Sequence, residues 1–157
     1  MVARYFPELA IGEDFETGSA TLTRDEIVQF ARLYDPQPMH VDEEAARNTI
    51  FRRLVASGWH VACTTIRLMV DARPFGANPL VGIEVDEFRF HAAVEPGTTL
   101  RCRAKILGLE QGKKPNHGHV KLRVETMDVN RGDVVLSQIW TVLVPREPPP
   151  RKPPASE

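Results

Sequence analysis

Between Ser57 and Ala72 the chain is apolar on nearly every face of a helix. Trp59, Val61, Ala62, Ile66, Met69 and Val70 leave no wide polar stripe, so such a helix should be buried on most sides. The residues that follow suit that burial. Val81, Ile83 and Val85 alternate as in a strand. Phe88, Phe90, Ala92 and Val94 then alternate in the opposite parity. A parity change inside one run predicts a bulge or break near Asp86 and Glu87. Pro96-Gly97 predicts a turn into a strand carrying Leu100, Cys102, Ala104 and Ile106. Gly108 to His119 reads as a polar connection, and Val120, Leu122 and Val124 begin another strand. After an Asn130–Asp133 turn, Val134 to Val144 is apolar on both parities, as in a strand covered on both faces. Helices early and long antiparallel strands late define an α+β chain whose curved sheet wraps one buried helix.

Two shorter helices precede the apolar one. Thr23-Arg24-Asp25-Glu26 is a capping box. Ile27, Phe30, Ala31 and Tyr34 then recur at i, i+3, i+4 and i+7, giving one apolar stripe. Pro36 ends that helix near Asp35. A short helix is expected from Asp42, whose carboxylate can cap it. Residues 1–145 form one domain on this reading. Residues 146–157 form a proline-rich disordered tail, because a segment with so few amide donors and no apolar periodicity joins neither sheet nor core.

Composition narrows the function. The chain has 157 residues, enough to bury about two thirds of its unfolded surface in a core without staples. Twenty Lys and Arg against 21 Asp and Glu leave no strong field for nucleic acid. No run approaches the roughly 20 apolar residues of a membrane span. Met1 to Gly12 lacks the long apolar stretch of a signal peptide. Cys63 and Cys102 sit in apolar segments without a CxxC spacing, and both are expected to be reduced core thiols of a cytoplasmic protein. His117-x-His119 offers two imidazoles but no further ligand, so no metal is expected.

One short segment carries chemistry. Tyr34-Asp35-Pro36-Gln37-Pro38-Met39-His40 places a carboxylate and an imidazole five residues apart, with two prolines between them. The prolines fix φ twice and remove two donors, which predicts a stiff loop that is neither helix nor ladder. Asp and His held together can grip one water and move protons to and from it. The same residues also suit a structural role, Asp35 at a helix end and His40 at the surface. A second candidate is Ser57-Gly58 at the start of the apolar helix. There, free amides and the positive dipole end can meet an oxyanion, and Gly58 lets it approach closely. Ser57 alone also suits an ordinary N-cap.

Three blocks in order resemble one family. Phe30 to Ala46, containing Asp35-Pro36-Gln37-Pro38-Met39-His40, is similar to the hydratase motif of the MaoC-like acyl dehydratases, the R-specific enoyl-CoA hydratases. Val55-Ala56-Ser57-Gly58-Trp59-His60 resembles the glycine-bearing start of that family's central helix. Glu87 to Phe90, followed by Val94-Glu95-Pro96-Gly97-Thr98-Thr99-Leu100, resembles its strand, turn and strand. The likeness spans about residues 7–144. It implies a hot-dog fold, a homodimer with active sites near the subunit interface, and an acyl-thioester substrate.

On this resemblance, Asp35 and His40 fall on the catalytic pair and Gly58 on the oxyanion-binding glycine, with Ser57 beside it. The implied reaction adds water to a 2-enoyl-CoA, or dehydrates a (3R)-hydroxyacyl-CoA, with no cofactor beyond the CoA thioester. Two departures stand out: Gln37 replaces the motif's Asn, and Ser57 stands where many hydratases have His. The family also often carries a serine within the central helix, for which Cys63, Thr64 and Thr65 are the candidates here. Two other readings use the same residues. One is a hot-dog thioesterase, with the water aimed at the carbonyl carbon. The other is a non-catalytic acyl-thioester binding module.

Overall fold

The computed structural model describes residues 1–148, so almost all of the expected tail lies outside the described residues. A single 3₁₀ turn, Phe6–Glu8, precedes β1, Asp14–Thr21. Four helices follow: α1, Arg24–Tyr34; α2, Pro38–Val41; α3, Glu43–Ala46; and α4, Gly58–Ala72. The remaining strands are β2, Val81–Phe90; β3, Thr99–Gln111; β4, His117–Asp128; and β5, Val134–Pro145. They form one antiparallel sheet in the order β1-β3-β4-β5-β2. The sheet packs around α4, which is the hot-dog arrangement.

The capping box of α1 forms as its sequence dictates. Thr23 Oγ1 accepts from the Glu26 amide, and Glu26 Oε2 accepts from the Thr23 amide at 2.8 Å. The Thr23 amide and the Thr23 hydroxyl, both donating to Glu26 Oε2, hold the Glu26 carboxyl below its ordinary range. The parity change in β2 is also real. Register shifts between Asp86 and Arg89, and Glu87 sits at φ 46°, a left-handed conformation that bends the strand.

Alternation in β3 and β4, with a β5 buried on both parities, builds the core. Leu68 and Met69 on the inner face of α4 meet Cys102 and Ile106 of β3, Leu122 of β4 and Val142 of β5. Ile27 and Val28 of α1 close a second cluster with Val61, Leu100 and Leu136. A chain of hydroxyls pins α4 to the sheet. Thr65 Oγ1 donates to the Val61 carbonyl at 2.8 Å, so it accepts from Thr126 Oγ1 at 2.6 Å. Thr126 Oγ1 in turn contacts Cys102 Sγ at 3.5 Å. Burial pushes the Cys102 thiol up, against the pull of these neighbours.

Four expectations are corrected. First, α4 is not buried on most sides: Val61, Thr65, Leu68 and Met69 face the sheet, while Trp59, Ile66 and Val70 are exposed. One concave sheet can cover only one side of a helix. Second, Cys63 lies on the uncovered flank of α4 and is exposed; only Cys102 is a core thiol. Third, Pro38 opens a helical turn rather than extending a loop. Its preset φ suits the first helical position, where no amide donor is needed. Fourth, the polar connection after Gly108 is short, because β3 runs on to Gln111 and β4 begins at His117.

Leu122 is fully buried at the middle of the sheet, whereas Leu33 on α1 is 69% exposed. Leu122→Ala should cost about 2–5 kcal/mol and Leu33→Ala within about 0.5 kcal/mol. Urea unfolding followed by circular dichroism reads both.

Candidate active site

The C-terminus of α1, the α2 turn and the N-terminus of α4 meet at one point. Asp35 is the C-cap of α1, and its amide donates to the Ala31 carbonyl at 2.8 Å. The α2 turn then brings His40 back over it. His40 Nδ1 lies 2.7 Å from the Val55 carbonyl. A carbonyl only accepts, so Nδ1 carries a proton and Nε2 is the ring atom turned to the site. Nε2 lies 3.5 Å from Asp35 Oδ2, and both side chains are largely covered, 7% and 17% exposed.

Ser57 ties the two halves together. Its hydroxyl donates to Asp35 Oδ2 at 2.7 Å and accepts from the Trp59 amide at 3.2 Å. Gln37 Nε2 donates to Asp35 Oδ1 at 2.7 Å. Burial works to raise the Asp35 carboxyl, but the hydrogen bonds from Ser57 and Gln37, with His40 nearby, outweigh it. The carboxyl therefore titrates below its ordinary range and is ionised at neutral pH. When Nε2 carries no proton, the carboxylate and the ring nitrogen are two acceptors facing each other. That geometry is favourable when a proton sits on Nε2 or a water O–H is shared between them.

Gly58 is the first residue of α4. Its N–H makes no hydrogen bond among the described residues, while those of Ala56, Trp59 and His60 do. It combines a free donor with the positive end of the helix dipole. A Cβ at this position would overlap the ring of Phe90, an exposed side chain that would have to swing aside. Asp35, His40, Gly58, Trp59, Phe90 and Val135 are among the residues around a cavity of about 380 Å³. Trp59 and Phe90 give it an aromatic wall, and Phe88 packs behind them, its ring 5.2 Å from that of Trp59.

All four residues singled out in the sequence thus come together: Asp35, His40 and Gly58 at the cavity, and Ser57 behind them. Cys63, Thr64 and Thr65 do not line it. Cys63 is exposed, Thr64 Oγ1 donates to the His60 carbonyl at 2.9 Å, and Thr65 belongs to the hydroxyl chain under α4. The sequence reading missed three contributors. These are the Val55 carbonyl that sets the His40 tautomer, the Gln37 amide on Asp35, and Phe90. Only Gln37 left a local signal, since a side-chain donor two residues after an Asp suits a turn.

Fold and cavity together define a hot-dog protein with a carboxylate–imidazole pair beside a free helix-N-terminal amide. The chain belongs to the family described as the MaoC like domain, whose model matches residues 7–128. It is similar to the protein YdeM of Bacillus subtilis, at 30% identity over 88% of this chain and 97% of that one. It is also similar to the (R)-specific enoyl-CoA hydratase of Rhodospirillum rubrum, at 29% identity over 92% of this chain and 94% of that one. The crystal structure of a MaoC-like dehydratase from Rhodospirillum rubrum superposes with a TM-score of 0.87. Its sequence is 34% identical, over 92% of this chain and 99% of that one.

The Asp35 environment is directly measurable. By carboxyl NMR titration its pKa should lie below that of a solvated Asp, and Ser57→Ala should move it up. A depressed folded-state value stabilises the fold above the unfolded-state pKa, and that share is lost as pH falls through the folded value. The acid limb of the unfolding curve should therefore be shallower in Ser57→Ala. The same variant also loses the α4 cap, worth about 1 kcal/mol.

Proposed function

We propose that this protein is a hydro-lyase that adds water across the double bond of a 2-enoyl thioester of CoA, and dehydrates the (3R)-hydroxyacyl product in reverse. The observation that carries the reading is the pairing of Asp35 Oδ2 and His40 Nε2, 3.5 Å apart beside the free Gly58 N–H. With Nε2 unprotonated, a water donating one O–H to each is held and activated. The thioester carbonyl accepts from Gly58 N–H, where the α4 dipole stabilises the enolate oxygen. One proton passes from the water to the Asp35–His40 pair as its oxygen bonds to the β-carbon. The pair then returns a proton to the α-carbon, so the atoms of one water end on the two carbons. No cofactor is needed for this balance. Support comes from the family membership and from the similarity to the Rhodospirillum rubrum hydratase.

The uncovered apolar side of the molecule supports a homodimer as part of this reading. Strand β2 lies at the sheet edge, and Val81, Ile83, Val85 and Phe90 on it are exposed, as are Trp59 and Ile66 of α4. A long apolar edge strand invites pairing. Antiparallel pairing of β2 with β2 of a second copy about a two-fold axis satisfies both edges at once. The cavity opens beside Phe90 of this edge, so the site then lies close to the interface.

Crotonyl-CoA, followed by loss of the enoyl absorbance with a thiol reagent in parallel, tests the reaction. Loss of absorbance without free thiol is expected; release of thiol would make the protein a thioesterase. Asp35→Asn should keep the fold and lower kcat by at least about a hundredfold. A fully active Asp35→Asn would remove the acid–base assignment. Gly58→Ala should lower turnover more than stability, whereas an equal loss of both would make Gly58 a packing residue only. Val85→Lys should shift the protein to monomer in light scattering; an unchanged mass would place the interface elsewhere.

A further inference from the structure

Phe90, the last residue of β2, reaches across to the start of α4. A Cβ built on Gly58 would overlap atoms of its ring, so the ring lies against the Cα of the residue whose N–H is free. Two neighbours hold it there. Phe90 meets the Phe88 ring at 4.9 Å and the Trp59 ring at 6.0 Å, with interplanar angles of 79° and 86°. Edge-to-face pairs of this kind are a preferred arrangement of aromatic rings. Phe88 packs in turn against the cluster that Ile27 and Val28 close. Phe90 is 53% exposed and can swing outward, but swinging breaks both aromatic contacts.

The rest of this flank of the cavity is small. Ala92 and Ala93 follow on the chain, with Val135 of β5 beside them. The His91 ring is turned to Ser137, Nε2 to Oγ at 2.7 Å. Phe90 is thus the large apolar side chain on this flank. A carbonyl oxygen that accepts from Gly58 N–H sits about 3 Å from that nitrogen. The α-carbon of the thioester is bonded to the same carbonyl carbon, while the β-carbon is directed to the water between Asp35 and His40. A substituent on the α-carbon therefore lies in the enone plane, beside the carbonyl oxygen or the sulfur. One carbon added at Gly58 already overlaps the ring, so the space beside the bound carbonyl has no room for a further methyl on the Phe90 side.

We propose that Phe90 determines selectivity at the α-carbon. Enoyl thioesters with hydrogen there are accepted, and those with an α-methyl group are disfavoured. An α-methyl forces the ring aside, with loss of its contacts to Phe88 and Trp59. One methyl group too many in a shaped apolar site changes kcat/KM by about tenfold or more. This selectivity rests on the hydratase reading, which puts the carbonyl at Gly58, and it is separable from it by binding.

The test compares crotonyl-CoA with 2-methylcrotonyl-CoA in the wild type and in Phe90→Ala. A methyl on the double bond slows hydration by itself, so the readout is the ratio of kcat/KM for the two substrates and its change in the variant. Phe90→Ala should shift that ratio toward the methylated substrate by about tenfold or more. An unchanged ratio, including an equal loss on both substrates, overturns the proposal while the hydratase reading stands. Phe90→Leu carries the same comparison if Phe90→Ala does not fold. Calorimetric binding of propionyl-CoA and isobutyryl-CoA, which differ by one α-methyl and cannot be hydrated, separates the remaining case. The wild type should bind propionyl-CoA more tightly by about tenfold, and Phe90→Ala should bring the two affinities level. If neither enoyl substrate is hydrated but this binding difference is present and depends on Phe90, the hydratase reading fails and the Phe90 assignment holds. If wild type and variant discriminate alike, the assignment fails with it.

Discussion

The Ser57 hydroxyl holds this site in place. It donates to the Asp35 carboxylate and accepts from the Trp59 amide, so one fully buried group joins the end of α1 to the start of α4. That bond and the Gln37 amide keep Asp35 ionised, although burial works the other way. The position of the Gly58 N–H is set by the same cap, because it fixes where α4 begins.

Much of this was legible in the sequence, for reasons that are local. The capping box at Thr23 and Glu26, the parity change at Glu87 and the alternation in β3 and β4 each need only a few neighbouring residues to be read. Asp35, His40 and Gly58 were also visible as candidates, because residue types suited to proton transfer and oxyanion binding stand in rigid surroundings. β1 was missed, since Asp14–Thr21 mixes buried and exposed positions without clean alternation and bulges against β3. The helical turn at Pro38 was missed because proline was read as a breaker, whereas at the first helical position it is a starter. The Val55 carbonyl and the Phe90 ring could not be read at all. They reach the site through tertiary contacts 15 and 50 residues away from His40.

The exposed flank of α4 follows from the same physics. A helix apolar all round demands more cover than one sheet gives, and Trp59, Ile66 and Val70 remain outside. The edge strand β2 beside it leaves Val81, Ile83 and Val85 outside as well. Helix and strand thus leave one apolar face open beside the α1–α4 junction that carries the polar groups.

The central claim is that the Asp35–His40 pair moves a water proton to the α-carbon of an enoyl thioester. It is tested most directly by incubating crotonyl-CoA with the protein in D₂O and following the product by proton NMR. The account predicts (3R)-hydroxybutyryl-CoA with a single deuterium at the α-carbon and an intact thioester. Crotonate with free CoA, or a crotonyl-CoA spectrum that does not change at stoichiometric protein, would contradict it.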